Sequence, residues 1–143
     1  MVHVAENNRR QRTASGGNMS TSRNFMVIAS LYIIIGVGIG MYMGGSNDRT
    51  LIPVHAHINL LGFVLPMVFG ITYHLFPAAG GSALARAHFW LHQIGALVLL
   101  VMLTLLLTGN IAESAMFPVA PIAELAVLLG LFAFAVNVFR HAR

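Results

Sequence analysis

Four apolar stretches constrain this chain more than any other feature: Phe25 to Gly44, Val54 to Phe76, Ala87 to Thr108 and Val119 to Phe139. An α-helix rises about 1.5 Å per residue, so roughly 20 residues cross a hydrocarbon core about 30 Å thick. Inside lipid every backbone N–H and C=O needs a partner within the protein, and a helix supplies all of them from its own segment. The sequence therefore predicts an all-α membrane protein with four transmembrane helices. Composition agrees. The chain is 57% hydrophobic and only 8% charged, with a mean hydropathy of +0.79. A soluble domain carries about 25% charged residues. So few charges cannot cover a water-facing surface.

The connectors are short and rich in helix breakers: GSNDRTLIP, PAAGGSALAR and GNIAESAMFP. Such loops join antiparallel neighbours, so the four helices form an arc or a bundle. Pro53, Pro118 and Pro121 stand at helix starts, where proline is tolerated. Pro66 falls inside the second helix and should kink it. Residues 1–24 hold four arginines and no apolar run, and read as a disordered basic tail ahead of a membrane domain over 25–143. The basic residues are all arginine. With the N-terminus inside, Arg9, Arg10, Arg12, Arg23, Arg86, Arg140 and Arg143 face the cytoplasm and only Arg49 faces outward. Both termini are thus expected to be cytoplasmic. Cysteine is absent, which excludes disulfides, thiolate metal sites and iron–sulfur clusters. Helix one carries Gly36, Gly40 and Gly44 at four-residue spacing, and helix two carries Gly62, Pro66 and Gly70. Close helix contact explains both stripes, and a flat cofactor lying on the glycines is the alternative.

The chemistry rests on histidine. His55 and His57 stand at the outer start of helix two. Two residues apart on a helix they diverge by about 200°, so they serve two sites or none, never one metal side by side. The plain alternative is a pair of interfacial histidines bonded to headgroups or helix-end backbone. Near the inner face, His88 and His92 share one face of helix three at the spacing with which two imidazoles grip a metal, and the short loop puts His74 within reach. These three form a second candidate site, for a metal, a quinol headgroup or protons. Their plain alternative is an aromatic belt with Tyr73 and Trp90. Glu124, the carboxylate inside a span, lies near the level of His57. It could orient a ligating imidazole, carry protons, or simply favour a helix N-terminus.

The segment His57-Ile-Asn59-Leu-Leu-Gly62-Phe63, opening a second membrane helix, resembles the second helix of the large subunit of heme–copper oxygen reductases and nitric-oxide reductases. The similarity covers residues 25–76. In that family this helix gives an axial histidine to a low-spin heme near the outer face, and the subunit consists of three four-helix arcs, one of which this chain resembles. The resemblance implies a b-type cytochrome of a bacterial inner membrane, with heme b on His57 and His55 and electron-transfer or diatomic-gas function. Asn59 and Glu124 would stand behind the ligands, and Arg49 would meet a propionate. A homotrimer would rebuild the three arcs, each heme lying between His57 of one copy and His55 of the next. A quinol or a respiratory-chain protein is the implied electron donor. The family's copper ligands are missing, so oxygen reduction at a heme–copper centre is not carried over. The competing reading is a non-heme transport or assembly subunit whose histidines handle protons or a metal ion.

Overall fold

Proline and serine set where three of the four spans begin. In the computed structural model, which describes the backbone of residues 2–141 and the side chains of residues 21–141, four long helices run as α1 (Val2–Ser46), α2 (Ile52–Leu75), α3 (Ala83–Leu107) and α4 (Val119–His141). Each is long and apolar enough to cross a bilayer, α1 through Thr21–Ser46. The chain is a multi-pass membrane protein. Pro53 sits in the first turn of α2, where its missing N–H costs no helical bond. Ser82 caps α3, its Oγ accepting from Ala85 N–H at 3.0 Å. Pro118 directly precedes α4, and Ile122 N–H bonds to its carbonyl. Asn47 ends α1 in the left-handed region at φ 57°, a common helix stop.

Residues 1–20 of the expected tail lie outside the described side chains. Among the described side chains, Thr21 and Ser22 stand ahead of the apolar run and are both buried, and Ser22 Oγ donates to Gly70 O at 2.9 Å. A hydroxyl that bonds a facing helix carbonyl can be buried without an unmet donor.

The glycine stripes do what close contact requires. Gly36 faces Ile58 and the Asn59 amide, Gly40 faces the His55 ring, Gly62 faces Tyr32, and Gly70 faces Met26 and the Ser22 carbonyl. A Cβ at Gly70 would lie 2.7 Å from Met26 and 3.1 Å from the Ser22 oxygen, so only a hydrogen fits. Gly44 differs, with open space where its Cβ would stand. At the other four glycines, side chains fill the place where a flat cofactor would have to lie.

α3 and α4 form a second tight pair. A Cβ at Gly95 would come within 2.8 Å of the Ala123 carbonyl. The two hairpins join through aromatic rings. Phe25 of α1 meets Phe89 of α3 at 4.9 Å between centroids, and Phe69 of α2 meets Phe134 of α4 at 4.7 Å. Helix contact therefore extends beyond neighbours in sequence. This aromatic core lies toward the Ser82 end, and a smaller cluster of Val54, Ile58 and Leu100 holds the other half. The outward sides, among them Ile34, Leu97, Leu128 and Phe132, are large, apolar and exposed, as lipid requires.

α2 does not run as one regular α-helix. Ile58–Val64 is π-helical between two α-helical parts, ending just before Pro66. The cause is local. Proline lacks the N–H and its ring crowds the carbonyl of the preceding turn, so the helix widens there. Leu65 N–H bonds to Leu60 O in the wider register. Pro66, next in line for the Leu61 carbonyl, has no N–H to give. The expected disturbance at Pro66 is thus a π turn.

Candidate functional site

His55 and His57 point to opposite sides of α2, as their spacing demands. His55 turns to α1, where it is half-buried against Gly40. Its Nδ1 donates to Gly36 O at 2.9 Å, and its Nε2 accepts from Asn59 Nδ2 at 3.1 Å. A carbonyl only accepts, so the hydrogen sits on Nδ1 and both ring nitrogens are used. Asn59 is the brace for His55, one helical turn on, while its own Oδ1 is buried without a partner. His55 is a wedge between α1 and α2, and it has no nitrogen left to give.

His57 is exposed, and its ring is set differently. Nδ1 donates to Pro53 O, the carbonyl one turn back, at 2.7 Å. That bond fixes the hydrogen on Nδ1 and leaves Nε2 as an uncommitted lone pair. Backbone carbonyls orient metal-ligating imidazoles in this way. Glu124 does not hold the Nδ1 side; Pro53 has taken that place. Glu124 instead lines a cavity of about 230 Å³ together with His57, Leu61, Leu99, Leu100, Leu103 and Met116. Pockets for drug-sized molecules usually span about 300–1,000 Å³. The space takes several waters or one small molecule, since a cavity of about 150 Å³ already holds benzene, and a ring as large as porphyrin would have to lie on the open side of His57. Arg49 is exposed in the loop before α2. Beside it Asp48 accepts from Thr50 N–H at 2.9 Å, and the Thr50 hydroxyl and amide hold its carboxyl below the usual range.

The second histidine group separates. His74 is exposed on α2, whereas His88 and His92 are fully buried at 0% exposure. Among the described residues no three histidine, aspartate or glutamate side chains gather as metal ligands would. His88 and His92 are not an interfacial belt either. They are enclosed by Phe25, Phe69 and Phe134, with Phe69 edge-on to His88 at 4.4 Å and to His92 at 5.2 Å. Their partners are Tyr73 OH, 2.9 Å from His88 Nδ1, and Leu61 O, 2.9 Å from His92 Nε2.

The residues that sequence reasoning passed over complete this polar interior. Ser82 Oγ donates to Asn137 Oδ1 at 2.9 Å, and Asn137 Nδ2 donates to Ala79 O at 3.0 Å. Gln93, also buried, leaves its Nε2 without a partner. A signal was available. Asn137 and Gln93 are amides inside apolar spans, where a polar side chain must find a partner or carry a cost. Tyr73 read as a belt residue because its burial depends on α4 folding over it. No known protein family, curated protein or solved structure matches this chain.

Proposed function

We infer that the chain is a membrane b-type cytochrome that takes iron porphyrin on His57. The observation that carries this reading is the Nδ1–H bond from His57 to Pro53 O, which leaves an exposed imidazole Nε2 free and unprotonated. Among His55, His57, His88 and His92, this ring alone is exposed and offers a lone pair to an outside ligand without breaking a bond. Glu124 and Met116, on the wall of the neighbouring cavity, tune polarity beside it. Bound iron porphyrin supplies one-electron chemistry, with its potential set by ligand, burial and nearby hydrogen bonds. The trimeric arrangement implied by the resemblance asks His55 of a neighbouring copy for a second ligand. His55 would have to surrender both of its hydrogen bonds, so the reading rests on His57. With His57 as the one imidazole this chain would offer, bound iron porphyrin would keep room for a small molecule, which favours diatomic-gas interaction over simple electron transfer.

In this reading the chain lies with both termini in the cytoplasm. Among the described residues, Arg23, Arg86 and Arg140 crowd the Ser82 end and Arg49 is the one arginine at the His57 end, so His57 stands in the outer half of the bilayer. The test is an absorption spectrum of detergent-purified protein from cells supplied with porphyrin precursor. Sharp bands that intensify on reduction, and that vanish in His57→Ala, are expected. Colourless folded protein, or bands indifferent to His57→Ala, would sink the reading.

A further inference from the structure

Charge is divided between the two ends of the bundle. Among the described residues, Arg23, Arg86 and Arg140 are exposed at the Ser82 end, while the side-chain carboxylates, Asp48, Glu113 and Glu124, stand toward the other end. Arg86 therefore has no described acid to pair with. Its Nη1 donates to Gly81 O at 3.4 Å, and the rest of its five-hydrogen fork is open to whatever lies at the membrane surface.

A stripe continues from Arg86 along α3. Trp90, Ile94, Leu97 and Val101 follow it, all exposed, Trp90 at 62%. At about 100° per residue the five positions fall within roughly 80° of arc. One face of α3 thus presents a cation, then an indole, then aliphatic side chains. α4 packs elsewhere, since Gly95, which meets Ala123, lies about 140° round the helix from Trp90. The stripe runs into a groove of about 320 Å³ between α1 and α3. Leu97 and Val101 belong to both, Tyr32 and Ile35 form the α1 wall, and Val54 and Ile58 of α2 line it as well.

This order of groups selects the occupant. From Trp90 to Val101 α3 rises about 16 Å, roughly half of a hydrocarbon core about 30 Å thick. A phospholipid of the leaflet at the Ser82 end offers phosphate, ester and acyl chain in the same order over the same depth. We propose that this face of α3 holds one phospholipid with a net negative headgroup, of the phosphatidylglycerol type. Arg86 takes the phosphate oxygens, which its planar fork matches. Trp90, one turn deeper, lies at the ester level, with its ring toward hydrocarbon and its N–H toward polar groups. One chain follows Ile94 and ends in the groove at Leu97 and Val101. With the described carboxylates at the other end, a headgroup ammonium finds no partner here, so the site discriminates against phosphatidylcholine and phosphatidylethanolamine.

The site does not involve His57, and any bound porphyrin dims all samples alike, so the test stands apart from the heme reading. Trp90 is the one tryptophan of the chain, and its fluorescence reports this face alone. The full chain is reconstituted in phosphatidylcholine vesicles, and chain-brominated phosphatidylglycerol or phosphatidylcholine, which quenches on contact, is titrated in. Brominated phosphatidylglycerol should reach half-quenching at a mole fraction about fivefold lower, as one arginine near an anionic headgroup provides. Arg86→Gln should erase the difference. Equal quenching by both lipids marks an ordinary annulus, and a preference that survives Arg86→Gln assigns the selectivity elsewhere; either overturns the proposal. The groove is read by native mass spectrometry of protein taken from vesicles holding phosphatidylglycerol and phosphatidylethanolamine in equal amounts. One retained phosphatidylglycerol is expected, and most of it should be lost in Val101→Trp, which fills the groove and leaves Arg86 in place. Retention unchanged in Val101→Trp, or equal retention of the two lipids by the wild type, would contradict it.

Discussion

His92 Nε2 donates to the Leu61 carbonyl at 2.9 Å because Pro66 leaves that carbonyl without a helical partner. The π turn over Ile58–Val64 and the burial of His92 are thus two sides of one arrangement. A proline defect in α2 becomes an acceptor, and a buried imidazole on α3 uses it. Membrane helices tolerate proline where a neighbouring helix satisfies what it frees.

Replacing His92 with leucine removes the donor and leaves the Leu61 carbonyl, on a half-buried residue, unpaired. Such a group costs about 1–3 kcal/mol. Unfolding from lipid–detergent micelles by increasing SDS should show a loss in that range. Pro66→Ala together with His92→Leu should recover part of it, since the substituted alanine brings a backbone N–H within reach of the carbonyl. A double variant no more stable than His92→Leu alone would contradict this account.

The heme reading separates the two adjacent histidines. His57→Ala should abolish porphyrin absorption, and growth with added imidazole should restore part of it, because the missing group is a neutral nitrogen base. His55→Ala should leave the absorption in place and instead loosen α1 from α2, seen as faster proteolysis of the intervening loop. Equal loss in both variants would favour paired ligation.

Gly70 and Gly44 answer oppositely to the same change. Gly70→Ala forces Met26 and the Ser22 backbone to yield, and should destabilise the α1–α2 pair. Gly44→Ala meets nothing and should be neutral or stabilising by up to about 1 kcal/mol, the helix-propensity difference. SDS titration of the two variants side by side is sufficient.

Ser82→Ala removes both the cap of α3 and the tie to Asn137. A lost cap alone costs about 1 kcal/mol. Ser82→Asp restores a capping acceptor but cannot donate to Asn137 Oδ1, so it should recover only part of the stability. Full recovery would show that the Asn137 bond contributes nothing.

Asp48 gives the α1–α2 loop a pH dependence. Its folded pKa is depressed by Thr50, so the stabilisation is present above the ordinary carboxylate range and is lost as pH falls through the lowered value. Amide exchange at Thr50 should rise on acidification in the wild type. Asp48→Asn keeps an acceptor and should flatten that response.

How much was legible in the sequence differs between the fold and the site. Four spans, short antiparallel connections and the proline disturbance follow from run length and residue chemistry, because lipid allows a helix few alternatives. The divergence of His55 from His57 was equally readable, since helix geometry fixes it from spacing. What spacing could not give was the partner of each ring. Pro53 O lies one turn back on the same helix, but whether His57 uses it depends on what else surrounds the ring. His55 is occupied because α1 brings Gly36 and Gly40 against it. His88 and His92 leave the membrane surface for the core only when Phe25, Phe69 and Phe134 from three other helices close around them. Periodicity determines which face a residue occupies. The packing of facing helices decides whether that face meets lipid, a carbonyl or another ring, and so whether its nitrogens remain free.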